Sequence, residues 1–129
     1  MSDPAAPRLL LVDDDPIIVR LLEVNFRLEG FTIQTASRGD DALQLALATT
    51  PDVVILDMML PGMTGDEVCR RMRETPALAT VPVVFLTARE ADEVRAHGYA
   101  LGMVDFISKP FDPVALVETV RRMLAERPA

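Results

Sequence analysis

The amino-acid sequence predicts an α/β protein with a doubly wound, five-stranded parallel sheet and five helices. Three short runs of leucine and β-branched residues support this prediction, at residues 9–12, 53–56 and 83–86. Such runs are typical of strands that are buried on both faces of a parallel sheet. Segments with helical start and stop signals separate the runs, and this alternation favours right-handed crossovers within one sheet.

The first predicted helix follows the acidic run after the first strand. Pro16 suits its first position, Asp14 or Asp15 would cap it, and Gly30 would end it. We expect one apolar side on this helix, made of Ile17, Leu21, Leu22, Val24 and Leu28.

The next elements are an exposed strand and two helices. Residues 31–35 alternate apolar and polar side chains, which predicts a strand at the edge of the sheet. Ser37 can cap a second helix that runs through about residue 48. Thr64 and Glu67 have the spacing of a capping box at the start of a third helix.

The last part of the chain predicts two more helices around a fifth strand. The fourth helix is expected at roughly residues 91–101, with Gly102 behind it. The apolar stretch at residues 104–107 provides the fifth strand, and the fifth helix runs from residue 112 to about residue 126.

Length and composition indicate one small domain. The chain has 129 residues, which we divide into a flexible tail at 1–7, a domain at 8–127 and a short tail at 128–129. A net charge of −7 argues against direct binding of nucleic acid. No apolar run approaches the ~20 residues of a membrane span, and no signal peptide is recognised, so we expect a cytoplasmic protein. Cys69 is expected to be a packed residue on a helix.

Polar residues end the predicted strands in a way that brings them together. Asp13 and Asp14 follow the first strand, Asp57 the third, Thr87 the fourth and Lys109 the fifth. Lys109 is the only lysine, while the other twelve cationic residues are arginine. Because the carboxyl ends of parallel strands open onto one edge, we expect acids, a hydroxyl and an ammonium in one cleft.

Each of these residues alone has an ordinary explanation, such as a helix cap or a surface charge. Together they favour phosphoryl chemistry, because clustered carboxylates repel each other unless a cation lies among them. Oxygen ligands of this kind suit Mg²⁺. The ammonium and the hydroxyl would then contact phosphoryl oxygens, and one carboxylate would attack phosphorus in line.

The motifs LLLVDDDP, VVILDMMLPGMTG, VVFLTARE and VDFISKPF, in this order, resemble those of response-regulator receiver domains of two-component signalling. The resemblance covers nearly the whole chain. It implies a flavodoxin-like sheet with strand order 2-1-3-4-5. Parts of the sequence, including LPGMTG, resemble receivers of the winged-helix transcription-regulator class.

The resemblance assigns a role to each strand-end residue. Asp57 would be the phosphoacceptor, and Asp13, Asp14, Asp57 and the backbone carbonyl of Met59 would hold Mg²⁺. Lys109 would pair with a phosphoryl oxygen. The peptide bond from Lys109 to the proline that follows it would be cis.

Further roles concern switching and the lifetime of the phosphorylated form. Thr87 would move towards the phosphoryl group, and Phe106 would occupy the space that it leaves. Many members of the family that the chain resembles have tyrosine at the position of Phe106. By the same resemblance, Met59 and Arg89 are the residues beside the path of the attacking water, and neither offers a base.

The implied partners are a sensor histidine kinase or a phosphotransfer protein, with a phosphorylation-dependent homodimer as a further expectation. The implied output face consists of the fourth helix, the fifth strand and the fifth helix. Its expected members are Val94, His97, Tyr99, Asp105, Arg121 and Arg122.

Two other classes of protein remain open from the sequence. Asp13 also fits the nucleophile of a haloacid-dehalogenase-like phosphohydrolase, although Asp57 is then unexplained. A flavodoxin-like binding module is the other alternative, although the chain has neither a Gly-rich phosphate loop nor a tryptophan. Identification of the phosphorylated aspartate, Asp57 or Asp13, separates a receiver domain from such a phosphohydrolase.

Overall fold

The structure is a computed structural model, and it describes residues 6–88 and 102–127. Five strands form one parallel sheet in the order 2-1-3-4-5, which confirms the predicted topology. The strands are β1 Arg8–Val12, β2 Thr32–Ala36, β3 Val53–Asp57, β4 Val83–Thr87 and β5 Val104–Ser108. The second strand lies at an edge, as its alternating pattern predicted.

Helices cover both faces of the sheet. They are α1 Pro16–Leu28, α2 Gly39–Ala48, α3 Gly65–Glu74 and a C-terminal helix Pro113–Glu126, with a 3₁₀ turn at Pro76–Leu78. The C-terminal helix is the predicted fifth helix. The predicted fourth helix, at 91–101, lies outside the described residues.

The sheet separates two apolar cores. On one face, α2 and α3 pack through Ala42, Ala46, Val68, Cys69 and Met72. On the other face, α1 and the C-terminal helix pack through a second set of residues, Leu22, Phe26, Leu116, Val117, Val120 and Met123. β3 is buried along its whole length because it lies between both cores. This layering is the doubly wound arrangement that the sequence predicted.

Of the five apolar residues predicted on the buried side of α1, only Leu22 lies in the core. Leu22 and Phe26 are fully buried, whereas Ile17 is 77% exposed and Leu28 is 82% exposed. The helix has two apolar stripes on opposite sides, and the stripe with Phe26 faces the core. The ring of Phe26 packs edge-on against the ring of Phe31, with 5.0 Å between the ring centres.

The cap prediction was correct for α1 and failed in different ways for α2 and α3. Asp15 caps α1 and accepts a hydrogen bond from the amide of Ile17. The N-cap of α2 is Arg38 rather than Ser37, and its side chain makes no cap bond. Thr64 is the N-cap of α3, but its side chain makes no cap bond either, so the predicted capping box is absent.

No helix among the described residues is both long and apolar enough to cross a membrane.

Candidate functional site

The carboxyl ends of four strands bring the predicted site residues to one edge of the sheet. Asp13 follows β1, Asp57 ends β3, Thr87 ends β4 and Lys109 follows β5. The first three side chains are buried, and Lys109 is partly buried. Its Nζ lies 3.0 Å from Asp13 Oδ2 and 3.5 Å from Asp57 Oδ2.

Backbone groups hold the side chains and loops of this cleft. The amide of Asp15 donates to Asp13 Oδ1 at 2.9 Å, and the amide of Met59 donates to Asp57 Oδ1 at 3.4 Å. The amide of Lys109 donates to the carbonyl of Thr87 at 2.8 Å, and the bond from Lys109 to the next residue is cis. The loop that carries the ammonium is thereby joined to the end of β4.

Burial and the neighbouring charges in the cleft shift the pKa values of two residues. Burial raises the pKa of Asp57, the negative charge of Asp13 raises it further, and Lys109 only partly offsets both effects. Burial alone would lower the pKa of Lys109, but contacts with Asp13 and Asp57 outweigh it and raise the pKa above its ordinary value. The ammonium therefore stays charged between two carboxylates near neutral pH.

The acidic residues fit a divalent cation. Asp13, Asp14 and Asp57 each offer a carboxylate oxygen, and these oxygens lie within 4.8 Å of one another. Asp13 Oδ2 is buried and pairs with the Lys109 ammonium at 3.0 Å, and a carboxylate oxygen in such a pair has further lone pairs for a cation. A donor set of oxygens alone, open to solvent through the exposed Asp14, matches the preference of Mg²⁺.

The residues predicted to switch, Thr87 and Phe106, lie on the neighbouring strands β4 and β5. Phe106 is buried and stacks on Phe85, with ring centres 5.3 Å apart and planes at 16°. Thr87 ends the same strand as Phe85. Arg89, predicted beside the path of the attacking water, lies outside the described residues. So do Val94, His97 and Tyr99, which were predicted on the output face.

The remaining residues of the predicted output face separate into two groups. Arg122 bonds Asp105 at 2.6 Å and so joins the C-terminal helix to β5. Arg121 instead bonds Glu29 at 3.0 Å and lies over the ring of Phe31, 5.6 Å from its centre. Its guanidinium therefore points towards the end of α1 rather than towards β5.

Sequence reasoning missed two features of the site. A cavity of about 520 Å³ opens beside Asp13 and Asp14, between α1 and the start of α2. Gly65 lies so close to the end of β3 that a Cβ there would be 2.3 Å from the carbonyl oxygen of Asp57. Its place in the turn-rich loop after Asp57 was the only signal for this contact.

Comparisons with known proteins agree with this geometry. Residues 9–121 match the family described as response regulator receiver domain. The phosphate regulon transcriptional regulatory protein PhoB of Rhizobium meliloti is 40% identical over 118 residues, covering 92% of this chain and 52% of that protein. A crystal structure of a putative response regulator from Chloroflexus aurantiacus is 37% identical with a TM-score of 0.87, covering 93% of this chain and 98% of that one.

A further solved structure is informative about the cleft. The receiver domain of a sensor histidine kinase from Pseudomonas aeruginosa PAO1 is 27% identical with a TM-score of 0.84, covering 94% of this chain and 99% of that one. That structure has a magnesium ion coordinated in its active site cleft.

The fold, the strand-end cleft and these comparisons define a receiver module of two-component signalling. The chain belongs to the response regulator receiver domain family. It spans between about a quarter and about a half of the length of the curated relatives it matches.

Proposed function

We propose that Asp57 accepts a phosphoryl group from a sensor histidine kinase or a phosphotransfer protein in a Mg²⁺-dependent reaction. The observation that carries the proposal is the position of Lys109, whose ammonium lies between the carboxylates of Asp13 and Asp57. A buried carboxylate beside a fixed cation and two further acids has the components of an in-line phosphoryl acceptor. The magnesium ion in the cleft of the Pseudomonas relative supports the choice of metal.

The residues of the chain divide the chemistry between them. An oxygen of Asp57 forms a new bond to phosphorus while the bond from phosphorus to the leaving group of the donor breaks. Lys109 neutralises a phosphoryl oxygen, and the hydroxyl of Thr87 donates a hydrogen bond to another. Asp13, Asp14, Asp57 and the Met59 carbonyl would hold the cation, which supplies the remaining charge neutralisation when bound. The chain is thus a signalling module with self-phosphorylation and autodephosphorylation chemistry only.

The proposed output is a change on the surface beside β5. Thr87 ends β4, and Phe106 of β5 stacks on Phe85 of the same β4 strand. Asp105, next to Phe106, forms an ion pair with Arg122 on that surface. Phosphorylation would change the packing of Thr87 and Phe106 and thereby alter dimerisation or the binding of an output domain. The named relative PhoB is a transcriptional regulator, so control of transcription through a separate output domain is the proposed role of the whole protein.

Labelling with a small phosphodonor tests the chemistry directly. We expect the intact mass to increase by one phosphoryl group with acetyl phosphate and Mg²⁺, and to stay unchanged when EDTA replaces the metal. Lys109→Gln should label much more slowly, because the negative charge on the transferring group loses its cation. Equal labelling of wild type with Mg²⁺ and with EDTA would refute the proposed metal-dependent reaction.

A further inference from the structure

Helix α2 begins with a contact that its own sequence does not provide. Its N-cap Arg38 makes no side-chain cap bond, and the first N–H groups of a helix have no partner within the helix. The amide of Gly39, the first helical residue, donates instead to the carbonyl of Pro61 at 3.2 Å. The loop after Asp57 therefore caps α2 with one of its own carbonyl groups.

This contact is possible only because residue 39 has no side chain. A Cβ on Gly39 would lie 1.9 Å from the carbonyl oxygen of Met63 and 2.7 Å from its carbonyl carbon. Both are backbone atoms, so no side-chain rotation relieves the overlap. Gly39 has no positive φ, so the position requires glycine for space rather than for backbone conformation.

The loop that Gly39 contacts is the loop that carries Met59. The carbonyl of Pro61 also accepts from the amide of Met63 at 3.0 Å, across a tight turn in which Gly62 has φ of 81°. The two ends of the loop are joined by the amide of Gly65, which donates to the carbonyl of Met58 at 2.9 Å. The loop is thus closed at the start of α3, and its middle, at Pro61, is held by the start of α2.

The start of α2 also shares a cavity with the acidic residues. Ser37 and Asp41, on either side of the N-terminus of α2, line the same cavity as Asp13 and Asp14. A displacement of the N-terminus of α2 would therefore change the cleft in two ways. It would move the loop that carries Met59, and it would move the cavity wall beside Asp13 and Asp14.

We propose that Gly39 is a positioning residue for the phosphorylation site. By admitting the Pro61 carbonyl to the start of α2, it fixes the loop and with it the backbone of Met59 relative to the Asp57 carboxylate. This inference rests on the proposed function, because its consequence is tighter binding of the cation that the phosphoryl transfer requires. Gly39 itself touches neither the metal ligands nor the phosphoryl group.

The first test compares Gly39→Ala with Ala46→Gly. Ala46 is buried in the same helix two turns further on, so Ala46→Gly weakens packing and helix propensity but leaves the backbone contact at Gly39 unchanged. We expect Gly39→Ala to bind Mg²⁺ at least about tenfold more weakly than Ala46→Gly, as for other residues that orient metal ligands. In the metal-free protein, amides at residues 58–63 should exchange faster in Gly39→Ala alone.

The second test uses wild-type protein and remains available if Gly39→Ala does not fold. Coupling between two sites is reciprocal, so Mg²⁺ should slow exchange of the amides of Gly39 and Met63, both of which donate to Pro61. The amide of Ala46 serves as the internal control. Exchange is followed by NMR in titrations with MgCl₂.

Two results would overturn the inference. One is a Gly39→Ala variant that binds Mg²⁺ as tightly as Ala46→Gly and has unchanged loop exchange. The other is wild-type protein in which Mg²⁺ binds but slows exchange at Gly39 and Met63 no more than at Ala46. A wild-type protein that neither binds Mg²⁺ nor labels at Asp57 would refute the proposed function itself, while faster loop exchange in metal-free Gly39→Ala would still show the contact.

Discussion

Met59 combines two properties at the residue scale. Its amide contacts the Asp57 carboxylate at 3.4 Å, while the residue as a whole is 57% exposed. A thioether offers no useful hydrogen bond to a water molecule and cannot remove its proton. We therefore expect the phosphorylated form to be long-lived, with the Met59 side chain shielding phosphorus from water.

The prediction is that Met59→Asn and Met59→Glu lose the phosphoryl group faster than wild type. Leu47→Asn is the matched control, since Leu47 is 54% exposed on α2. The measurement is decay of the phosphorylated mass after removal of the phosphodonor, at fixed Mg²⁺ and pH. Unchanged or slower decay in both Met59 variants would show that this side chain does not control water access.

Cys69 gives a second prediction at this scale. The residue is fully buried on α3, and burial raises the pKa of its thiol to about 11. Because the thiolate is the reactive form, iodoacetamide should leave the native protein unmodified at neutral pH and modify it completely in denaturant. Rapid alkylation of the native protein would indicate that α3 opens from the sheet.

At the scale of single elements, α3 has exposed charge pairs near its start, where the predicted capping box is absent. Arg70 and Arg71 both bond Glu67, and these bonds hold the pKa of Glu67 at about 2, well below its ordinary 4.5. A lowered pKa in the folded state means that the pairs stabilise fully above pH 4.5. That contribution is lost as the pH falls from 4.5 towards 2.

Glu67→Gln should therefore lower the melting temperature slightly at pH 7 and have progressively less effect as the pH falls below 4.5. The effect should also shrink in high salt, because the pairs are exposed to solvent. Thermal unfolding of both proteins across this pH range measures it. A difference that stays constant down to pH 2 would show that the charge pairs do not stabilise α3.

The same elements show how far sequence alone predicts this fold. The approximate bounds of the three central strands followed from their apolar runs, because central parallel strands are buried on both faces. The strand order 2-1-3-4-5 followed from the family resemblance. The buried side of α1 did not follow, since Ile17 and Leu28 are as apolar as Leu22 and only contacts with the sheet distinguish the two stripes. The cap of α2 was also unpredictable, since the loop after β3 sets where that helix begins.

For the site, the sequence predicted that the charged residues lie together at the edge formed by the carboxyl ends of the strands. The contacts between these residues could be described only from the structure. Strand ends and the family resemblance brought Asp13, Asp57 and Lys109 together. They did not predict that Lys109 approaches Asp13 more closely than Asp57. The role proposed for Gly39 depends on a backbone approach that no residue pattern encodes.

At the scale of the whole molecule, cation binding and folding are linked. Asp13, Asp14 and Asp57 place like charges close together, so a cation that binds only the folded state stabilises it by mass action. At a hundred times its dissociation constant, Mg²⁺ should add about 2.7 kcal/mol to the free energy of unfolding. Asp14→Asn should reduce this gain, and because Asp14 is exposed the variant should still fold.

The measurement is the midpoint of urea unfolding in a Mg²⁺ titration, with Na⁺ added to the control at equal ionic strength. An unfolding midpoint that does not respond to millimolar Mg²⁺ would contradict a metal site in this cleft. An equal response in Asp14→Asn would mean that Asp14 is not a ligand.

The central claim is that Asp57 is the phosphoacceptor, and the most direct test locates the phosphoryl group after treatment with acetyl phosphate and Mg²⁺. Borohydride reduction followed by peptide mass spectrometry identifies the modified aspartate in wild type, Asp57→Asn and Asp13→Asn. The account predicts a single modification at Asp57 in wild type and none in Asp57→Asn. A modification at Asp13 that persists in Asp57→Asn would contradict it and favour a phosphohydrolase of the haloacid-dehalogenase type.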